Sequence, residues 1–243
     1  MRSVHRRQDD LDRHQVTAPV PPQRFSMPGL PARPGVVLLR TEEVTVDGRL
    51  HQATSLSVTS GGRLAVTGPN GAGKSTLLSV LAGRLDPDTG RVHRAREVRL
   101  RLLGQESPRA THRRAHDVYE AHTARLVTAG VLKEGEVVGL GSPGLLTARD
   151  AGKPVAELST GQQRRLDLAL ALAARPHVLL LDGPTNHLSI ALVDELTEAL
   201  RGTEAAVVLA THDRRMRRDT ADWPHLALAL RRPAGQGAGA TAL

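Results

Sequence analysis

The 243-residue sequence contains no cysteine, which excludes disulfides, thiolate metal sites and thiol redox chemistry and accords with a cytoplasmic location. Aromatic residues are almost as scarce: Phe25, Tyr119 and Trp223 are the only ones, too few for the stacking platforms used on single-stranded nucleic acid. The core must therefore be built from Leu, Val and Ala. No apolar run approaches the roughly 18 to 20 residues of a transmembrane helix, and Met1 to Asp12 is too charged for a signal peptide, so direct membrane insertion is not expected. Lysine is confined to Lys74, Lys133 and Lys153, yet the formal charge is +8. That charge favours a polyanionic partner such as RNA or an acidic membrane surface, although codon bias in a GC-rich genome produces the same arginine excess. The length suits one α/β domain with a subdomain and a tail better than two full domains.

Against these absences stands one stretch, Gly68-Pro69-Asn70-Gly71-Ala72-Gly73-Lys74-Ser75-Thr76. Glycine, four free positions, then Gly-Lys-Ser/Thr is the phosphate-loop pattern, in which backbone N–H groups cradle phosphate oxygens. Leu64-Ala65-Val66 leads into it as a strand, and Leu77, Leu78, Val80 and Leu81 leave it on helical spacing. A helix starting near Gly73 aims unpaired amides and a positive dipole end at an anion. A plain glycine-rich turn has no need of the Lys-Ser pair. Lys74 is predicted to reach the β- and γ-phosphates and Ser75 to bind magnesium.

Along the chain, residues 1–35 carry a charged, helical pattern followed by Pro19, Pro21, Pro22, Pro28, Pro31 and Pro34, a spacing that forbids a helix and favours an extended linker. Val36 to Leu39, Val44 to Val46 and Leu56 to Val58 read as short strands, with Asp47-Gly48 as a turn between two of them. Asp86 to Gly90 reads as a turn, Val98 to Leu103 as a strand, and Thr111 to Leu132 as a polar helix inside a helical subdomain of about residues 107–157. His112, His116 and His122 lie there, but without metal-site spacing they read as a solvated face. Leu158-Ser159-Thr160-Gly161-Gln162-Gln163-Arg164-Arg165 opens a second helix that Pro176 must stop. Val178 to Asp182 is a buried parallel strand ending in a carboxylate, placed to hold magnesium beside the loop or, failing that, to cap the next helix. Ile190 to Leu200 reads as a helix, Ala206 to Ala210 as a buried strand running into Thr211-His212-Asp213, and Leu226 to Leu230 as a last strand. The domain is expected over 36–232, and residues 233–243 as a disordered Gly/Ala tail.

The order and spacing of these motifs resemble an ABC ATPase nucleotide-binding domain: the phosphate loop, Gln105 as the glutamine loop, Leu158 to Gln162 as the signature, Val178 to Asp182 as the Walker B strand and His212 as the switch histidine. Leu158 to Leu166, with Pro184-Thr185-Asn186-His187-Leu188, resembles the ABC-F class. That class comprises soluble twin-domain ATPases that act on the ribosome, some conferring antibiotic resistance. The resemblance implies an α/β P-loop NTPase fold with a parallel central sheet, an antiparallel β lead-in and a helical subdomain. It implies ATP and Mg2+ as ligands, with Gly68 to Thr76, Asp182, Ser159, Gly161 and Gln162 binding nucleotide. Ser75, Gln105 and Asp182 are then the magnesium ligands, and Gln105 and His212 take part in catalysis. Because such a site closes between two domains, the expected partners are a second ABC ATPase domain, either another copy or a first half that this C-terminal-like sequence lacks, and the ribosome with its rRNA. A cytosolic transporter ATPase subunit shares the same phosphate motifs.

Departures from the family pattern set further expectations. Gly183 stands where the family has a glutamate, so hydrolysis should be slow while binding survives. Ser189 stands where an aspartate often closes the Asn-His-Leu motif. Val44 and Val46 occupy the region where relatives stack an aromatic on adenine.

Overall fold

The computed structural model describes residues 24–105 and 111–230. The expected linker up to residue 23, the stretch 106–110 with Arg109, and the tail from residue 231 therefore lie outside the described residues. Strands β1 (Val37–Val46), β2 (Leu50–Thr59) and β4 (Thr89–Arg94) form an antiparallel sheet in the order β2-β1-β4. A second sheet of parallel strands has the order β5-β6-β7-β3-β8, from β3 (Arg63–Thr67), β5 (Leu100–Leu103), β6 (Val178–Asp182), β7 (Ala206–Ala210) and β8 (His225–Ala227).

The second sheet is covered on both faces, which is why β6 and β7 read as unbroken apolar runs and are buried at every position. Side chains alternate between two cores, as the strand period of two requires. Leu179, Leu181, Val207 and Leu209 point into one core. Val178, Leu180, Ala206 and Val208 point into the other, with Leu38, Leu39, Leu77 and Leu81. The second core lies between the two sheets and holds α1 (Lys74–Ala82). The first core is closed by α2 (Ala115–Thr128), α4 (Thr160–Ala173) and α5 (Ile190–Gly202), joined by the short α3 (Ala148–Ala151) and α6 (Arg214–Asp219). Phe25 and Leu30, on an extended approach to β1, are buried in the same core.

The fold is the expected α/β arrangement, but two local readings change. The two short strands expected over 36–46 are one continuous β1, with irregular register around Glu43, a non-glycine residue at φ 47. Bulges absorb the break that the apolar pattern suggested. The expected turn over Asp86 to Gly90 ends at Asp88, because Thr89 and Gly90 already belong to β4, which pairs with β1. Its sequence, TGRVHR, is exposed or half-buried throughout, so no apolar alternation announced it. Arg63, at the start of β3, donates to the carbonyls of Gly61, Ala205, Arg201 and Thr203 and lies 5.9 Å from the Trp223 ring centre, anchoring the sheet at the edge away from the phosphate loop.

Candidate functional site

Parallel strands deliver every chain segment that leaves their C-terminal ends to one edge. Here β3 runs into Gly68, β5 into Gly104-Gln105, β6 ends on Asp182, and β7 runs into Thr211-His212. The register brings these ends level: Val66 pairs with Ala210, Asp182 with Ala210, and Leu103 with Leu181.

The loop from Gly68 to Gly73 is shaped by backbone that L side chains rarely adopt: φ is 142° at Gly68, 80° at Gly71 and 95° at Gly73. A Cβ on Gly73 would lie 2.6 Å from the Arg49 carbonyl, so only glycine lets the loop approach β2 this closely. Gly73 caps α1, whose first intrahelical bond runs from Leu77 N to Gly73 O at 2.8 Å. The amides of Lys74, Ser75 and Thr76 therefore belong to the helix end that has no partners within the helix. Lys74 Nζ donates to Gly68 O at 2.9 Å and Pro69 O at 2.8 Å, which holds the ammonium over the loop.

Gln105 Nε2 donates to Asp182 Oδ1 at 3.1 Å and to Ser75 Oγ at 3.4 Å. Three residues separated by 30 and 77 positions in sequence thus converge. Asp182 is 7 % exposed. It caps no helix: α5 is capped by Ser189, whose side chain accepts from Leu192 N. A hydroxyl, an amide and a carboxylate are the oxygen donors a hard divalent cation selects, so the set fits magnesium, with Gln105 then offering its carbonyl oxygen. Among the described residues no group of three or more His, Cys, Asp or Glu gathers as a metal site elsewhere. The cleft, of about 560 Å³, is lined by Asn70, Gly71, Gly73, Lys74, Ser75, Thr76, Gln105, Asp182 and His212, with Gly48 and Arg49 on the β1–β2 side. Val44 and Val46 are buried in the core between the sheets and do not line this cleft. Sequence reasoning missed Arg49; it is the last of the three residues, Asp47-Gly48-Arg49, that join β1 to β2, and the Asp47-Gly48 turn was the available signal.

The signature residues are not part of this cleft. Ser159 caps α4 in a reciprocal box, its amide donating to Gln162 Oε1 at 2.9 Å and its hydroxyl accepting from Gln162 N at 3.3 Å. Ser159, Gly161 and Gln162 line a separate concavity of about 330 Å³ with Asp150, Arg165, His187 and Ser189. A Cβ on Gly161 would meet the His187 carbonyl at 2.8 Å, so the strand-to-helix loop after β6 lies directly against the signature. In that loop Gly183 has φ 54° and its amide donates to Ala210 O at 2.8 Å.

The sequence profile of the family described as "ABC transporter" matches residues 51–186. The tylosin resistance ATP-binding protein TlrC of Streptomyces fradiae is 45% identical over 183 residues, covering 72% of this chain and 30% of that protein. ABC transporter F family member 4 of Arabidopsis thaliana is 36% identical over 170 residues, covering 66% of this chain and 22% of that protein. The chain thus spans less than a third of the length of these curated relatives. A dimeric post-hydrolysis structure of the ATP-binding cassette MJ0796 bound to ADP and Pi superposes with a TM-score of 0.62 at 21% identity, over 80% of this chain and 97% of that one, which establishes likeness of fold.

Proposed function

The chain belongs to the ABC transporter family of ATPase domains, and from that premise we propose that it is an ABC-F type domain that binds magnesium ATP, pairs with a second such domain when nucleotide is bound, and acts on the ribosome. The observation that carries nucleotide binding is the meeting of Ser75, Gln105 and Asp182 beside the Gly68–Ser75 cradle. Lys74 and the amides at the start of α1 would offset the charge of the β- and γ-phosphates, and Ser75, Gln105 and Asp182 would hold a magnesium ion that offsets more of it. Isothermal calorimetry with magnesium ATP tests this. Lys74→Ala should weaken binding about tenfold to a hundredfold, the scale of a charge-assisted hydrogen bond, and an unchanged affinity would remove the assignment.

Pairing is supported by the separation of the signature concavity from the nucleotide cleft, since a signature that touches ATP must then touch a partner's. The family hydrolyses ATP, but Gly183 leaves this chain without a carboxylate after Asp182, which favours an ATP-gated clamp with slow turnover. Action on the ribosome, and a role in antibiotic resistance, are supported by the Asn186-His187-Leu188 run and by the resistance named for TlrC. Co-sedimentation with ribosomes across a salt titration separates this reading from a transporter subunit, which would remain in the supernatant at every salt concentration.

A further inference from the structure

Arg164 lies within α4, two residues beyond the signature, and is 1 % exposed. It occupies the apolar stripe of that helix with Leu168 and Leu172, spaced four residues apart. A buried guanidinium is costly unless its donors are matched. Burial lowers its pKa, and the nearby charges of Asp167 and Asp182 act the other way. Its Nη1 donates to the carbonyl of Gly104 and its Nη2 to the carbonyl of Gly183 at 3.3 Å. Gly104 immediately precedes Gln105, and Gly183 immediately follows Asp182. One planar fork on the signature helix therefore grips the backbone next to two of the three residues that converge at the cation end of the cleft. An apolar side chain of similar volume would fill the same space without holding either segment.

We propose that Arg164 is a positioning residue: it sets the spacing of the Gly104-Gln105 and Asp182-Gly183 segments from the helix that bears the signature, so that movement of this helix alters the geometry offered to magnesium. The inference rests on the nucleotide-binding reading above and adds a regulation to it. In a pair, the signature of one domain meets its partner's nucleotide, while the same helix governs the cation end of its own cleft. The two sites are then energetically linked, and the linkage is reciprocal.

The test is calorimetry with ATP in excess EDTA and with ATP in excess magnesium, on the unaltered chain, Arg164→Met and Arg164→Lys. Arg164→Met should bind ATP in EDTA within about twofold of the unaltered chain, while the gain in affinity on adding magnesium falls by about tenfold, the scale of losing an outer-sphere partner of a metal site. Arg164→Lys, whose ammonium cannot reproduce the planar two-carbonyl grip, should fall between the two. A purely packing role predicts equal losses with and without magnesium, in step with the melting temperature; that result, or an unchanged magnesium gain, overturns the proposal. Should Arg164→Met fail to fold, Arg164→Lys decides on the same criteria. If the unaltered chain takes up no ATP, the nucleotide-binding reading falls and this inference falls with it. ATP uptake with the same magnesium gain in all three proteins removes this inference alone.

Discussion

Gly183 is held in the left-handed region, at φ 54°, where a side chain would start 3.1 Å from Asn186 Nδ2 and 3.6 Å from Gln105 Cγ. A glutamate introduced here would leave the backbone beside the cation end of the cleft, where a water-activating carboxylate is needed. It would also carry the steric cost of a left-handed L residue, about 1 to 2 kcal/mol. Comparing Gly183→Glu with Gly183→Ala separates the two effects, because alanine bears the strain without the carboxylate. Phosphate release should rise by about a hundredfold or more in Gly183→Glu and stay at the parent level in Gly183→Ala, with both variants less stable to denaturant. Equal rates in the three proteins would show that the missing carboxylate does not limit turnover. Ser189, which stands where an aspartate often closes the Asn-His-Leu motif, has a visible structural duty as the cap of α5 and also accepts a hydrogen bond from Arg165 at 3.4 Å.

Elements meet at His177, the residue before β6. It is 9 % exposed, its Nδ1 accepts from Arg99 N at 3.0 Å, and its own amide donates to Arg99 O at 2.7 Å. This joins the approaches to β5 and β6. Burial, and then the charges of Arg99 and Arg33, hold its pKa below 6.5, and His122 is shifted the same way by burial and by Arg101. The folded state therefore takes up these protons less readily than the unfolded chain. Their stabilising effect is complete above the unfolded pKa of about 6.5 and is lost as pH falls through the lower folded value. The melting temperature should drop between about pH 8 and pH 5.5, the protonated ring being unable to accept from Arg99 N. His177→Asn keeps an acceptor oxygen near the Nδ1 position without titrating, so its melting curve should depend less on pH. A slope equal to that of the parent would place the dependence on other groups.

At the scale of the whole molecule, the cleft beside the phosphate loop and the concavity at Ser159, Gly161 and Gln162 share no lining residue among the described residues. On the proposed reading, closing either takes a second domain. Sedimentation velocity should show the chain moving to a dimer, or to a complex with a co-expressed first domain, when magnesium ATP is added. Lys74→Ala should remain unpaired under the same conditions. A strictly monomeric parent at saturating nucleotide, with no first domain able to join it, would contradict the composite site. None of the helices among the described residues is long and apolar enough to cross a membrane.

Much of this was determined by the sequence itself, because local chemistry left few choices. Gly-Lys-Ser-Thr after an apolar strand dictates a glycine-bent loop running into a helix start, and Val178 to Asp182 and Ala206 to Ala210 read as buried strands because both faces of a parallel sheet are covered. Ser159 and Gln162, three residues apart, spell a helix start. Tertiary structure alone decided what depends on distant neighbours. β4 exists because β1 offers it an edge, although its own side chains are exposed or half-buried. Val44 and Val46 turn inward because the sheet packs on α1, and the hydrogen bonds of Gln105 and Arg164 form because strand order places far-apart backbones side by side. A propensity is a property of a few adjacent residues, whereas the partner of a buried polar group is chosen by the packing of the entire chain.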